Sequence, residues 1–165
     1  MEPIKVLFVC MGNICRSPSG EGVFKHYVDE QGLNAQFQID SAGTIGYHAG
    51  SPADERMTIA AERRGYQLLS IARQVKDADL DTFDLIVAMD ADNLRDLEHL
   101  AGGPRDDIRL LGSFLPGVIG NDDAPSVPDP YYGGAAGFEQ VLDMIEHACP
   151  PILEHSLGLT AREPR

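Results

Sequence analysis

The 165-residue sequence has few basic residues, no long apolar run and little cysteine. Thirteen lysine and arginine residues stand against 26 acidic residues, a formal net charge of -13 that argues against a nucleic-acid or anionic-membrane partner. The longest apolar runs are strand-sized and fall far short of the roughly 20 residues that a membrane span needs. The first residues form no basic and apolar leader with a small-residue cleavage site, so no secretory signal is expected.

Only 3 cysteines are present, an odd number at low density. They cannot all pair within the chain, and this usage favours a reducing cytoplasm, where thiols are more often catalytic or redox-active than structural. The length, together with 43% hydrophobic residues, fits one domain, which we expect over residues 1–157 with a flexible tail over 158–165. No large apolar helix stripe calls for a partner copy, so a monomer is expected.

Strand-like and helix-like segments alternate along the chain. Apolar runs predict strands over 6–9, 37–40, 84–89 and 108–111. Helical spacing predicts helices over 17–32, 52–64, 90–100 and from 138 onward, and the last should end or kink at Pro150 and Pro151. Ser17 and Ser51 are the expected caps of the first two helices, each followed by proline. This order predicts an α/β fold whose parallel sheet is covered on both faces.

The loop over residues 10–17 follows the first predicted strand, and ligands bind in the crevice at the carboxyl ends of parallel strands. Its successive backbone N–H groups can point at one anion, assisted by the dipole of the next helix. Gly12 and Asn13 tolerate the left-handed backbone that such a loop requires, and Arg16 offers a planar fork for two phosphate oxygens. The expected phosphate-binding residues are Met11, Gly12, Asn13, Ile14, Cys15, Arg16 and Ser17.

Cys10 is the candidate nucleophile of this loop. The inward N–H donors and the positive charge favour its thiolate form at neutral pH, and the Ser17 hydroxyl can donate a hydrogen bond to that thiolate. A cysteine at the end of a buried strand is usually structural. Here Cys, Gly, Asn, Arg, Ser and Pro occur together between a strand and a helix, and that combination points to catalysis.

The segment VCMGNICRSP, residues 9–18, resembles the signature of the low-molecular-weight protein tyrosine phosphatases. The resemblance extends through residues 40–44, 72–74, 83–90, 93–94 and the DPYYG segment at 129–133. It implies a three-layer α/β/α fold, with a four-stranded parallel sheet and the phosphatase loop after the first strand. It also implies hydrolysis of phosphotyrosine and small aryl phosphates in two steps through a cysteinyl-phosphate, without a metal or other cofactor.

The resemblance assigns further site residues. A phenolate leaves poorly unless it is protonated, and Asp129 matches the family's general acid, which sequence alone could not select among the aspartates of this chain. Tyr131 and Tyr132 would hold a phenyl ring beside the phosphate cradle, and Tyr47 matches another aromatic wall of the pocket. Cys15 is the expected redox partner of the nucleophile, with plain packing under the loop as the alternative.

Two departures from the family pattern are visible. Ser70 stands where a histidine often braces the loop asparagine, so the support of Asn13 is altered or supplied otherwise. Gly20 and Gly22 occupy a helix in which alanine would be expected, at up to about 1 kcal/mol each. Cys149 lies on the apolar face of the last helix and is expected in the core.

Three competing functions remain open. An arsenate reductase uses a similar loop but needs further cysteines, and residues 65–100 contain none. Protein arginine phosphatases tend to carry threonine where Ile14 stands, and a silent phosphotyrosine-binding module would be expected to lack Cys10 or Asp129. The histidines have no companions at ligand spacing, so no metal site is expected.

The resemblance also describes the expected partner. It is a tyrosine-phosphorylated protein, which for bacterial relatives is often a tyrosine kinase that controls exopolysaccharide export, although other relatives have diverse targets.

Overall fold

Within residues 2–159, which the computed structural model describes, four parallel strands form one sheet. The strands are β1 (Ile4–Cys10), β2 (Phe37–Gly43), β3 (Leu85–Ala88) and β4 (Ile108–Leu110), in the spatial order β2-β1-β3-β4. The helices are α1 (Arg16–Glu30), α2 (Glu55–Glu62), α3 (Asp77–Thr82), α4 (Ala91–Ala101) and α5 (Ala135–Leu157). The predicted α/β fold with a four-stranded parallel sheet is confirmed.

Helices cover both faces of the sheet, and because successive strand residues point to opposite sides, they divide between two apolar clusters. Phe8 and Val87 belong to the larger apolar cluster, which includes residues of α1, α2 and α5. Leu7 and Ile86 belong to the second cluster, which includes Leu97 of α4. The two central strands, β1 and β3, are the most deeply buried, as their continuous apolar runs predict.

The strand register brings the functional loop to one edge of the sheet. Cys10, the last residue of β1, pairs with Gly43, the last residue of β2, and Val9 pairs with Ala88 at the end of β3. The strand β2 continues three residues beyond its predicted end at residue 40, and this extension carries Ser41 and Gly43 beside the loop. The carboxyl ends of three strands therefore meet around Cys10.

The two predicted serine caps are wrong. Helix α1 begins at Arg16, and the Ser17 hydroxyl lies beside the Cys10 sulfur instead of capping the helix. Helix α2 begins at Glu55 rather than at residue 52, because the Asp54 carboxylate accepts hydrogen bonds from the N–H groups at positions 56 and 57. The charge of Asp54 also interacts favourably with the dipole of the helix that it caps.

Two helices differ from expectation. The six-residue α3 was not predicted, since a single buried leucine, Leu80, gives it no apolar period. Helix α5 begins at Ala135 and continues through Pro150 and Pro151 to Leu157. The two prolines remove two N–H donors, but buried side chains on the following turns, such as Ile152, keep the segment packed on the core. Residues 160–165 of the expected tail lie outside the described residues.

The two unexpected glycines of α1 allow the helix to approach its neighbours closely. A Cβ atom at Gly20 would lie 2.6 Å from Cδ1 of Phe8, and one at Gly22 would lie 2.7 Å from Cδ2 of Leu68. The helix-propensity loss is therefore the condition for seating α1 on the sheet at Gly20, and against the segment that follows α2 at Gly22. Across residues 2–159, no helix has the length and apolar character to cross a membrane.

Candidate active site

A cleft of about 320 Å³ opens at the carboxyl ends of the strands. Ten of the predicted site residues line it, namely Cys10, Met11, Gly12, Ile14, Cys15, Arg16, Tyr47, Asp129, Tyr131 and Tyr132. Asn13 and Ser17 are buried beneath it, where they contact Cys10. Ile45 and His48 also line the cleft and were not predicted, because neither residue type in that segment marks a phosphate site.

Cys10 is nearly buried at the floor of the cleft, with 3% of its surface exposed. Its sulfur lies 3.0 Å from the Ser17 hydroxyl oxygen and 3.3 Å from the backbone nitrogen of Asn13, which donates to it. Donors aimed at a sulfur stabilise the thiolate more than the thiol. The surroundings of Cys10 therefore suit a nucleophile.

Asn13 holds the loop in shape. Its backbone is left-handed, with φ of 57°, as predicted. Its side-chain amide donates to the hydroxyl oxygens of Ser17 at 2.8 Å and Ser41 at 3.0 Å, and its carbonyl oxygen accepts from the backbone N–H of Arg73 at 3.0 Å. Three segments that are distant in sequence are thus joined at one side chain.

The expected left-handed conformation of Gly12 is wrong, because its φ is not positive. The absence of a side chain at Gly12 has a different reason. A Cβ atom there would lie 3.0 Å from Cδ2 of His48, so glycine leaves room for the imidazole against the loop.

Ser70 takes no part in bracing Asn13. Its hydroxyl oxygen is buried and has no hydrogen-bond partner within residues 2–159. Ser41 and Arg73 brace Asn13 instead, and the Ser41 hydroxyl donates in turn to a carboxylate oxygen of Glu21 at 2.6 Å. The departure at position 70 is therefore compensated by other residues.

Arg16 is buried, with 3% of its side chain exposed, and is held in place by an ion pair. Its NH1 nitrogen lies 2.5 Å from Oδ2 of Asp90 and donates to the carbonyl oxygen of Val127 at 3.0 Å. Burial alone would lower the pKa of Arg16, but Cys10, Asp90 and Asp129 outweigh it and raise that pKa. The guanidinium therefore carries its charge before any ligand arrives. Asp90 was not identified from the sequence because it lies 74 residues from its partner.

Val127 fixes the segment that carries Asp129. The buried Val127 donates its backbone N–H to the carbonyl of Met89 at 2.8 Å, while its own carbonyl accepts from Arg16. Two residues later, Oδ1 of Asp129 accepts from the N–H of Tyr131 at 3.0 Å, and Oδ2 lies 3.7 Å from NH2 of Arg16. The carboxylate is thereby held over the same cleft as Cys10.

The mouth of the cleft is aromatic. The rings of Tyr131 and Tyr132 meet edge to face with centroids 4.9 Å apart, and His48 lies between Tyr47, at 4.9 Å, and Tyr131, at 6.4 Å. Tyr47 and Tyr132 are 84% and 90% exposed, so a ligand ring can still bury much of their surface.

The other two cysteines are buried and, like Cys10, form no disulfide. Burial, followed by the nearby charge of Asp54, raises the pKa of Cys15, so this loop residue is a neutral thiol. Burial and the charge of Glu146 raise the pKa of Cys149 to about 12, and its place in the core is confirmed. Residues 2–159 contain no group of three or more His, Cys, Asp and Glu side chains placed to hold a metal ion.

Comparison with known proteins shows which proteins this chain is similar to. The sequence model of the family described as low molecular weight phosphotyrosine protein phosphatase matches residues 5–160. A low molecular weight protein-tyrosine-phosphatase of Streptomyces coelicolor is 47% identical over 151 residues, covering 90% of this chain and 91% of that protein. The crystal structure of YfkJ from Bacillus subtilis is 39% identical with a TM-score of 0.85, covering 94% and 95% of the two chains. A Drosophila arginine phosphatase structure is 34% identical with a TM-score of 0.81, covering 92% and 97%.

Proposed function

This chain belongs to the low molecular weight phosphotyrosine protein phosphatase family, and on that premise we propose that Cys10, Arg16 and Asp129 carry its reaction. It is a protein-tyrosine-phosphatase, a hydrolase of phosphoric monoesters. One observation supports these roles above the others. A donor-stabilised thiol, a buried guanidinium and a carboxyl group line one cleft, although Cys10 and Asp129 are far apart in sequence.

In the first step the Cys10 thiolate attacks the phosphorus atom of the substrate. The N–H groups of residues 11–16 and the guanidinium of Arg16 bind the phosphoryl oxygens, whose charge is spread during the transfer. Because NH1 of Arg16 is engaged by Asp90 and Val127, the phosphate takes the other guanidinium nitrogens. Asp129 donates its proton to the departing phenolic oxygen, which leaves as a neutral phenol.

In the second step Asp129, now ionised, accepts a proton from a water molecule. The resulting hydroxide attacks the cysteinyl-phosphate, the S–P bond breaks, and inorganic phosphate and the Cys10 thiolate are regenerated. Ser17 supports both steps, since its hydroxyl lies 3.0 Å from the sulfur and can stabilise the thiolate as it leaves. The chemistry is complete with protein groups and water.

Phosphotyrosine is the substrate that the cleft favours. Tyr131, Tyr132 and Tyr47 present aromatic faces at its mouth, and contacts of this kind contribute about 0.5–1.5 kcal/mol beyond area burial. The likeness to an arginine phosphatase makes phosphoarginine the second candidate. Ile14 lines the cleft and, as an apolar side chain, gives a water molecule no hydrogen bond there, which speaks against phosphoarginine.

Arsenate reduction and silent phosphotyrosine binding have less support. Arsenate reduction passes a disulfide to further cysteines, and Cys15 is the one thiol besides Cys10 among the described residues that line the cleft. A silent phosphotyrosine-binding module has no need for a general acid, yet Asp129 is held over the cleft.

We also propose that Cys15 protects the nucleophile when a peroxide oxidises Cys10 to a sulfenic acid: the Cys15 sulfur attacks the Cys10 sulfur, the S–O bond breaks, water leaves and a disulfide forms. Both residues line one cleft and are free thiols.

We propose further that the partner is a tyrosine-phosphorylated protein, that the enzyme is located in the cytoplasm and that it is a monomer. Reduced, buried cysteines suit the location, and light scattering of the purified protein tests the monomer.

The decisive experiment measures hydrolysis of para-nitrophenyl phosphate, a phosphotyrosyl peptide and a phosphoarginyl peptide, with EDTA and dithiothreitol present. Wild type should hydrolyse the two aryl phosphates far faster than the phosphoarginyl peptide. Cys10→Ser should abolish turnover, and Asp129→Asn should lower kcat by about 100-fold or more, in the range typical of general-acid catalysis.

Matched controls exist for both variants. Cys149→Ser changes a buried thiol far from the cleft, and Asp122→Asn removes an exposed carboxylate of the same long connection. Both controls should keep the wild-type rate per folded molecule. Turnover that survives in Cys10→Ser, or a phosphoarginyl peptide cleaved faster than the phosphotyrosyl one, would overturn the proposal.

A further inference from the structure

A second groove, of about 340 Å³, lies beside the catalytic cleft between α2 and the start of α5. Ile59 contributes exposed apolar surface to it, Phe138 lines it but is almost fully buried beside Arg56, Arg63 contributes charge, and Gly133 and Gly134 form part of its wall. Ile59 is 42% exposed and offers its side chain to a ligand. We call this feature the α2–α5 groove.

The α2–α5 groove is continuous with the cleft through one side chain. The guanidinium carbon of Arg56 lies 5.3 Å from the ring centroid of Tyr131, which lines the cleft, and 5.0 Å from that of Phe138, which lines the groove. A polypeptide whose phosphotyrosine ring contacts Tyr131 can therefore place a neighbouring residue next to Arg56 and continue along the groove.

The two glycines in the wall of the groove have open space where a side chain would lie. A Cβ atom at Gly134 would meet nothing within 4 Å, one at Gly133 would meet only an oxygen at 3.6 Å, and neither glycine has a positive φ. Gly134 is the N-cap residue of α5, a position that favours glycine, and its lack of a side chain also keeps this wall low. The open wall leaves the groove accessible to an extended chain.

Of the two cations that line the groove, one has no ion-pair partner among the described residues. Arg56 is paired with Asp54 at 3.1 Å, and Glu139, which also lines the groove, is paired with Arg64 at 2.7 Å. Arg63 is exposed and forms no ion pair with any carboxylate of residues 2–159. In a chain of net charge -13, this places an unmatched positive charge on an apolar groove next to the cleft.

Resting on the proposed function, we propose that the α2–α5 groove binds the part of a phosphotyrosyl polypeptide that adjoins the phosphotyrosine. The bound segment presents an acidic side chain to Arg63 and an apolar side chain to Ile59. The enzyme therefore selects substrates with acidic and apolar residues next to the phosphotyrosine, although its overall charge favours basic partners.

The test compares two phosphotyrosyl peptides of equal length, one flanked on both sides by alternating Asp and Leu, the other by alternating Asn and Leu. The readout is the ratio of kcat/KM for the Asp peptide to kcat/KM for the Asn peptide. The variants are Arg63→Glu, Arg63→Lys and the control Arg95→Glu. Arg95 is an exposed residue of α4, and its substitution alters the net charge equally, so long-range repulsion acts on both charge reversals.

We expect Arg63→Glu to lower this ratio three- to tenfold more than Arg95→Glu does, mainly through KM. Arg63→Lys should retain most of the wild-type ratio, and the difference between the two charge reversals should shrink at 0.5 M salt. If Arg63→Glu lowers the ratio no more than Arg95→Glu, the groove does not bind the substrate. A wild type that cleaves neither peptide nor para-nitrophenyl phosphate would instead overturn the proposed function itself.

Discussion

Replacing Gly20 with alanine tests whether α1 depends on its close approach to the sheet. Alanine is the better helix former by about 1 kcal/mol, so sequence reasoning alone predicts stabilisation. In the structure, however, the new methyl would lie 2.6 Å from Cδ1 of Phe8 and 2.9 Å from Cε of Met89. Both neighbours are fully buried and cannot move away freely.

Forcing extra volume into a packed core costs about 1–3 kcal/mol. Subtracting the gain in helix propensity leaves a net destabilisation of about 1 kcal/mol, which for a chain of this size lowers Tm by roughly 2–4 °C. Because α1 begins at Arg16, a shift of the helix also moves the guanidinium. We therefore expect kcat/KM for para-nitrophenyl phosphate to fall several-fold in Gly20→Ala.

The measurement is urea unfolding combined with steady-state kinetics, and Gly137→Ala serves as the matched control. Gly137 is also helical, but a Cβ atom there would lie 3.5 Å from Cβ of Pro130, an ordinary contact. The control should gain about 0.5–1 kcal/mol. If Gly20→Ala is stabilised as much as Gly137→Ala, the packing explanation for Gly20 is refuted.

Three further predictions concern single side chains. Asn13→Ala should lower kcat at least tenfold. Relative to that variant, Asn13→Gly should recover about 1 kcal/mol of stability but little of kcat, because glycine relieves the left-handed strain without restoring the hydrogen bonds. Equal kcat in Asn13→Gly and wild type would contradict this. Burial and the hydrogen bond to Glu146 raise the pKa of Tyr66, so the unfolded state loses this proton first as pH rises. The free energy of unfolding, measured with urea, should therefore fall as pH rises above about 10, and it should fall less steeply in Tyr66→Phe. After peroxide treatment, dithiothreitol should restore less activity to Cys15→Ser than to wild type, and equal recovery would exclude the redox role.

The strand and loop segments could be predicted because their signals are local. The apolar run of β1, the helical period of α4 and the Cys-x5-Arg spacing each lie within one short stretch of sequence. The start of α2 could not be placed, since Ser51 and Asp54 are both good caps and only the tertiary path selects Asp54. Likewise α3 is too short to show a period.

The residues that hold the catalytic groups in place could not be predicted from the sequence, for a different reason. Arg16 reaches Asp90 and Val127, and Asn13 reaches Ser41 and Arg73, across sequence separations of 28 to 111 residues. No spacing rule links residues so far apart, because the contacts arise where the fold brings together segments that lie mostly outside the strands. The sequence therefore identifies the residues that react more readily than the residues that hold them in position.

The hydrogen bonds that hold Val127 in place limit how far the length of the connection between β4 and α5 can vary. Asp129 follows Val127 by two residues, and each residue spans at most about 3.6 Å, so a tether of at most roughly 7 Å joins the backbone of Asp129 to Val127. Upstream, residues 116–126 are mostly exposed and can gain or lose length without altering that tether. Downstream, one inserted residue would lengthen the tether by half. Variation in loop length between members of the family is therefore expected before Val127 and not between Val127 and Asp129.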